Sequence, residues 1–108
     1  MNIDSERTEK ALQYLVDTDG EHARIKAEFK AKENLTKTIL AYEFRDSTEK
    51  AQESKKMAAY ASLTYCDHIE ALKALEIDLQ TMYNRRDTAR LIIELYRTQS
   101  ANTRKGNI

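Results

Sequence analysis

The sequence predicts an all-α chain, an elongated helical hairpin or bundle that ends in one long, coiled-coil-like helix. Three observations carry this. Pro is absent and Gly occurs only at Gly20 and Gly106, so little obliges a helix to break. Thirteen Ala and many Glu, Lys and Arg favour helix, while the single Val leaves a β fold little material. The last forty or so residues carry a heptad pattern. Tyr65, Leu72, Leu79, Arg86 and Ile93 recur every seven residues, and His68, Leu75, Met82, Ala89 and Tyr96 follow three residues later in each heptad. That is the a/d stripe of a helix packing along another helix.

The elements follow in order. A first helix is expected over about 5–17, capped by Ser5, with Ala11, Leu12, Leu15 and Val16 as its apolar face. Asp17-Thr18-Asp19-Gly20 reads as a break, and Thr18 with Glu21 has capping-box spacing. A helix that runs through with Gly20 tolerated is the alternative. The second helix, about 19–44, has Ile25, Phe29, Leu35, Ile39 and Tyr42 on its inner side. A short polar helix over 48–61 reads as a connector, and Ser62 caps the last helix, about 63–103. Residues 102–108 form a polar tail expected to fray.

One domain is the natural count for 108 residues. The last helix alone has a length of about 60 Å, against a radius of gyration of about 13 Å for a compact chain of this size. The core expected of such a chain is thin, which points to a homo-oligomer with Leu72, Leu75, Leu79, Met82, Ile93 and Tyr96 as its seam. A lone cysteine fits a reducing compartment, no apolar run is long enough to span a membrane, and no signal peptide is visible. A cytoplasmic protein that does not engage a membrane is expected.

Eighteen basic and eighteen acidic residues cancel, which argues against binding nucleic acid through bulk charge. Their distribution is uneven. Residues 63–83 carry one basic and four acidic groups, and residues 84–108 carry six basic and two acidic. Arg86, Arg90, Arg97 and Arg104 share one broad helical face beside Arg85, and guanidinium forks suit phosphates. Set against this, positive charge is ordinary near a helix C-terminus. Arg86 sits in the seam, where an interchain ion pair would set register. Lys26, Lys30 and Lys37 form a second basic strip, diluted by Glu28 and Glu33. Exposed tyrosines beside such strips stack on single-stranded bases, although half-buried tyrosines of a thin core are commoner.

No enzyme is expected. Cys66, Asp67 and His68 are adjacent and so diverge on a helix, and no zinc spacing, nucleophile elbow or glycine-rich phosphate loop occurs. Cys66 reads as a small buried apolar residue. No metal and no cofactor are expected.

The run Ile93-Glu94-Leu95-Tyr96-Arg97-Thr98-Gln99-Ser100-Ala101-Asn102-Thr103-Arg104, with Ala58-Ala59-Tyr60-Ala61-Ser62-Leu63-Thr64-Tyr65 upstream, resembles small helical proteins of tailed bacteriophages and prophages. Those end in a Trp-Arg-(Ser/Thr)-x-x-Ala-Asn-x-Arg pattern, and Tyr96 stands where the Trp would be. The layout of helices is also similar to that of the UvsY-type phage recombination mediators. The resemblance implies a helical oligomer that binds single-stranded DNA and helps load a recombinase in place of a single-strand-binding protein, in an infected or lysogenic host. It transfers no site residues. From charge alone, the candidate nucleic-acid contacts are Lys26, Lys30, Lys37, Arg85, Arg86, Arg90, Arg97 and Arg104. The rival expectations are a helical protein-interaction module, an inhibitor or adaptor, that binds no nucleic acid, and a purely structural helical oligomer, for instance in virion assembly.

Overall fold

The computed structural model describes residues 2–106. It is all-α, with no strand among the described residues: α1 spans Ser5–Asp46, α2 Gln52–Ala61 and α3 Leu63–Gly106. The chain packs as two compact units. One is built from the described parts of Met1–Ala23 and Gln80–Ile108, the other from Arg24–Leu79. No helix of the described residues is long and apolar enough to cross a membrane.

In the first unit the start of α1 lies antiparallel to the later part of α3. Ile3 meets Gln99, Leu15 and Thr18 meet Arg86, and His22 packs edge-on against Tyr83 at 4.6 Å. The cap of α1 is Asp4 rather than Ser5. The Arg7 amide donates to Asp4 Oδ1 at 2.7 Å, and the charged Asp side chain suits the positive end of the helix. Ile3, Thr8, Ala11, Arg86 and Ala89 are buried. The expected apolar face of α1 is rotated, since Leu12 and Val16 are 50% and 70% exposed.

The expected break at Asp17–Gly20 does not occur, and the run-through alternative holds. Thr18 forms no capping box. Its hydroxyl donates back to the Tyr14 carbonyl at 2.7 Å, as a hydroxyl within a helix does, and accepts from Arg86 Nη1 at 2.7 Å. Packing against α3 thus outweighs the roughly 1 kcal/mol that a helical glycine costs relative to alanine. A Cβ at Gly20 would meet nothing within 4 Å, and its φ is not positive.

In the second unit, α1 continues against α2 and the first part of α3. Ile25, Ala59, His68 and Leu79 are buried, and Thr36 Oγ1 lies 2.8 Å from His68 Nε2. Leu35 and Tyr42, expected inside, are 50% and 53% exposed, while Thr36, Leu40 and Phe44 turn inward. Helix α2 starts at Gln52 rather than near Thr48. Ser47 Oγ accepts from the Glu49 amide, a local turn that competes with helix, and Thr48, Glu49 and Lys50 are all exposed. Ser62 caps α3 as expected, accepting from the Tyr65 amide at 3.2 Å. The same hydroxyl donates to the Ala59 carbonyl at 2.7 Å and so closes α2. At the other end α3 stays helical through Gly106, past the expected fraying point at 102; Asn107 and Ile108 lie outside the described residues.

Candidate nucleic-acid interface

The structure sorts the eight predicted cations by environment. Lys26, Lys30 and Lys37 are all exposed on α1 within the second unit. At 3.6 residues per turn they fall within about 40° of one another, so their ammonium groups leave the helix on one side. Glu33 shares that side, and Glu28 is drawn off by Arg24 at 2.6 Å.

Lys37 also lines a groove of about 310 Å³ between α1 and α2. The walls are Leu40, Ala41 and Phe44 from α1, with Lys56, Ala59 and Tyr60 from α2. No carboxylate lines it among the described residues; Glu53 enters on the neighbouring side of α2, beside Met57. Tyr60 is 48% exposed and is held edge-on by Tyr65, with ring centroids 5.2 Å apart. Phe44 carries the Lys55 ammonium 5.7 Å from its ring centre. An accessible aromatic ring that shares a groove with two ammonium groups is what single-stranded nucleic acid uses, the cations for phosphates and the ring face for a base. Farther along α1, Arg45 lies 4.8 Å over the exposed Tyr42 ring. Its pKa is raised, chiefly by its hydrogen bond to Asp46 and then by that carboxylate's charge, so it stays cationic.

The arginines of α3 belong to the first unit and do not act as one set. Arg86 is 5% exposed and unavailable to a ligand. Its Nη1 donates to the Leu15 carbonyl at 3.0 Å and to Thr18, and its Nη2 reaches Asp19 at 3.4 Å. The ion pair expected between chains is thus made within one chain. Arg90 is exposed and bonds Asp87 at 3.1 Å, while Arg85, Arg97 and Arg104 are exposed. Residues 80–108 carry six basic and two acidic groups, and residues 1–23 carry six acidic and two basic. The basic half of α3 therefore has its acidic counterpart in the α1 segment it packs on.

The row read as an oligomer seam faces inward in the single chain. Leu79 is buried, and Leu72, Leu75, Met82, Ile93 and Tyr96 are half-buried; Met82 Sδ lies 3.8 Å from the Tyr14 hydroxyl. Cys66, expected inside, is exposed, because its position in the heptad lies opposite the seam. Among the described residues no group of three His, Cys, Asp or Glu is placed to hold a metal ion.

Sequence reasoning did not single out Lys56, Phe44 or Tyr60 as contacts. The available signal was the aromatic at Tyr60 four residues after Lys56, which puts both on one face of α2. Comparison with protein-family models, with curated proteins and with solved structures gives no match, so the functional assignment rests on the chemistry of this groove and its lysine strip.

Proposed function

We propose that the protein binds single-stranded DNA through the α1–α2 groove and the adjoining lysine strip. The observation that carries this is that Lys37 and Lys56 line one groove with the accessible Tyr60, where no carboxylate lies among the described lining residues. Lys26, Lys30, Lys37 and Lys56 hold successive phosphates, and Tyr60 offers a stacking surface indifferent to base identity. By the resemblance of its C-terminal run, the protein is a phage accessory factor in the bacterial cytoplasm. There it assists recombinase loading as a homo-oligomer, alongside a recombinase or single-strand-binding protein. Since the heptad row faces inward within the chain, contacts between copies use outward residues.

The test is fluorescence anisotropy with a labelled oligothymidine at low and moderate salt, with duplex as control. Binding that prefers the single strand, and weakens with a log–log salt slope of about −2 to −3, fits three or four phosphate contacts. Absence of binding at micromolar protein in low salt removes the reading in favour of a protein-interaction module.

A further inference from the structure

The outer face of α3 in the first unit is sorted by charge. Thr81, Asn84, Thr88, Leu91, Leu95, Thr98 and Asn102 recur at alternating spacings of three and four. They form one stripe, about 30 Å long, on the side of the helix opposite the seam. All seven are exposed and none is charged, whereas every other exposed residue between 81 and 102 carries a charge: Arg85, Asp87, Arg90, Glu94 and Arg97. In a chain of which 33% is charged, composition alone does not produce so clean a division. The stripe is also ready to be covered. Leu91 and Leu95 are 61% and 48% exposed. The Thr88 and Thr98 hydroxyls donate to the Asn84 and Glu94 carbonyls at 3.0 and 3.1 Å, and Asn84 Oδ1 accepts from Gln80 Nε2 at 2.9 Å. Covering these groups leaves those hydrogen bonds in place, which keeps the desolvation cost low.

Helix α3 is unbroken from Leu63 to Gly106. The heptad row that holds Asn84, Leu91 and Thr98 continues to Ile77 and Glu70 at one end and to Lys105 at the other. Glu70 and Lys105 are exposed and have no ion pair among the described residues. Lys105 lies six residues past Gln99, which meets Ile3, so Asp4 and Glu6 lie beside earlier turns of α3.

We infer that a second copy of this chain docks on the stripe, with the two α3 helices antiparallel and the two-fold axis at Thr88. Leu91 then lies opposite the partner's Asn84, Leu95 opposite the partner's Thr81, and Lys105 opposite the partner's Glu70. A neutral stripe meets itself without like-charge contact, as a two-fold interface requires. Its ends attract only in the antiparallel sense; a parallel pair would set Lys105 beside the partner's Lys105. Asp87, close to the axis, is already bonded to Arg90 at 3.1 Å. Nucleic acid is disfavoured here, since the stripe offers neither a cation nor an aromatic ring. The inference deepens the homo-oligomer of the reading above and rests on that part of it, not on DNA binding.

The test is sedimentation velocity of the full chain from about 5 to about 200 micromolar. The wild type is expected to pass from monomer to dimer within that range. Leu91→Glu/Leu95→Glu, at exposed positions where circular dichroism should show the fold kept, raises the midpoint by about tenfold or more. At low salt Glu70→Lys weakens the dimer and Glu70→Lys/Lys105→Glu restores it, which a parallel pair would not do. Thr88→Cys in a Cys66→Ser background is joined into dimers by a short bismaleimide faster than Arg97→Cys in the same background. Lys37→Glu/Lys56→Glu abolishes oligothymidine binding and leaves association unchanged, so failure here and failure of the DNA reading are distinguishable. A monomer throughout the range, indifference to the leucine double variant, no restoration by the charge swap, or equal cross-linking at positions 88 and 97 overturns the inference. So does a larger assembly that the leucine double variant leaves intact.

Discussion

The side-chain amide of Gln99 holds both backbone groups of Ile3: its Oε1 accepts from the Ile3 N–H at 3.0 Å and its Nε2 donates to the Ile3 carbonyl at 2.9 Å. One side chain on α3 thus fastens the residue that precedes the cap of α1, and Ile3 is held 3% exposed. Gln99→Ala leaves a covered N–H and C=O without these partners. It should lower stability by about 1–2 kcal/mol, read by urea denaturation. Amide exchange at Arg7 and Thr8 should quicken first, because the capped turn loses its anchor.

Arg86 separates the roles of charge and volume. Its partners are a helical carbonyl, a hydroxyl that already donates to Tyr14, and an Asp19 carboxylate that is 80% exposed. Its Nε has no partner among the described residues. Arg86→Met keeps the volume and strands nothing, so it should be neutral or stabilising by about 1 kcal/mol. Arg86→Ala should cost about 2–4 kcal/mol through the space it leaves. Asp19→Ala should cost less than about 1 kcal/mol, since solvent screens that partner. Thermal melts of the three variants rank them, and a Met variant as unstable as the Ala variant would show that the charge itself is needed.

Gly20→Ala should stabilise. The site is helical, its φ is not positive, and the added methyl meets nothing within 4 Å. The expected gain is about 0.5–1 kcal/mol, from a more restricted unfolded chain and better helix propensity. It appears as a higher melting temperature; a lower one would mean that a bend at this point is required.

For DNA, Tyr60→Ala should weaken oligothymidine binding by about 1–3 kcal/mol with the salt slope unchanged, since stacking carries no charge. Lys37→Glu should weaken binding and flatten the slope by roughly one unit for the lost contact. Arg90→Ala, at a side chain already engaged by Asp87, should change neither. Arg90→Ala matching Lys37→Glu in effect would return the contact to α3.

The α3 seam was legible because nine of the ten residues first assigned to it are apolar, aromatic or His, and their period is strict. The α1 seam was not. Its inward row, Thr8, Leu15, His22, Phe29, Thr36 and Glu43 with Ala11, Thr18, Ile25 and Ile39, also keeps a heptad spacing, interrupted only at the exposed Lys32, but about half of it is polar. Leu12, Val16 and Leu35 point outward and gave the wrong face. The polar inward residues have polar partners on α3: Thr18 meets Arg86 and Thr36 meets His68. A periodicity search that counts only hydrophobic residues passes over such a row, because its burial depends on a partner helix far along the chain. The site was half legible for a related reason. Lys26, Lys30 and Lys37 share a helix, and local spacing shows them. Lys56 and Tyr60 join Lys37 only because α2 packs back on α1.

The double use of Ser62 sets how the chain tolerates change in length. With α2 ending at Ala61 and α3 starting at Leu63, one residue serves as both stop and start. An extra residue inserted into α2 ahead of it would turn everything upstream by about 100° about the helix axis. That would carry Lys56 and Tyr60 off the side that faces α1. The stretch between Asp46 and Gln52, largely exposed and outside any helix, can absorb an added residue without disturbing either neighbour. Length variants are therefore expected to accumulate at one end of α2 and to be rare at the other.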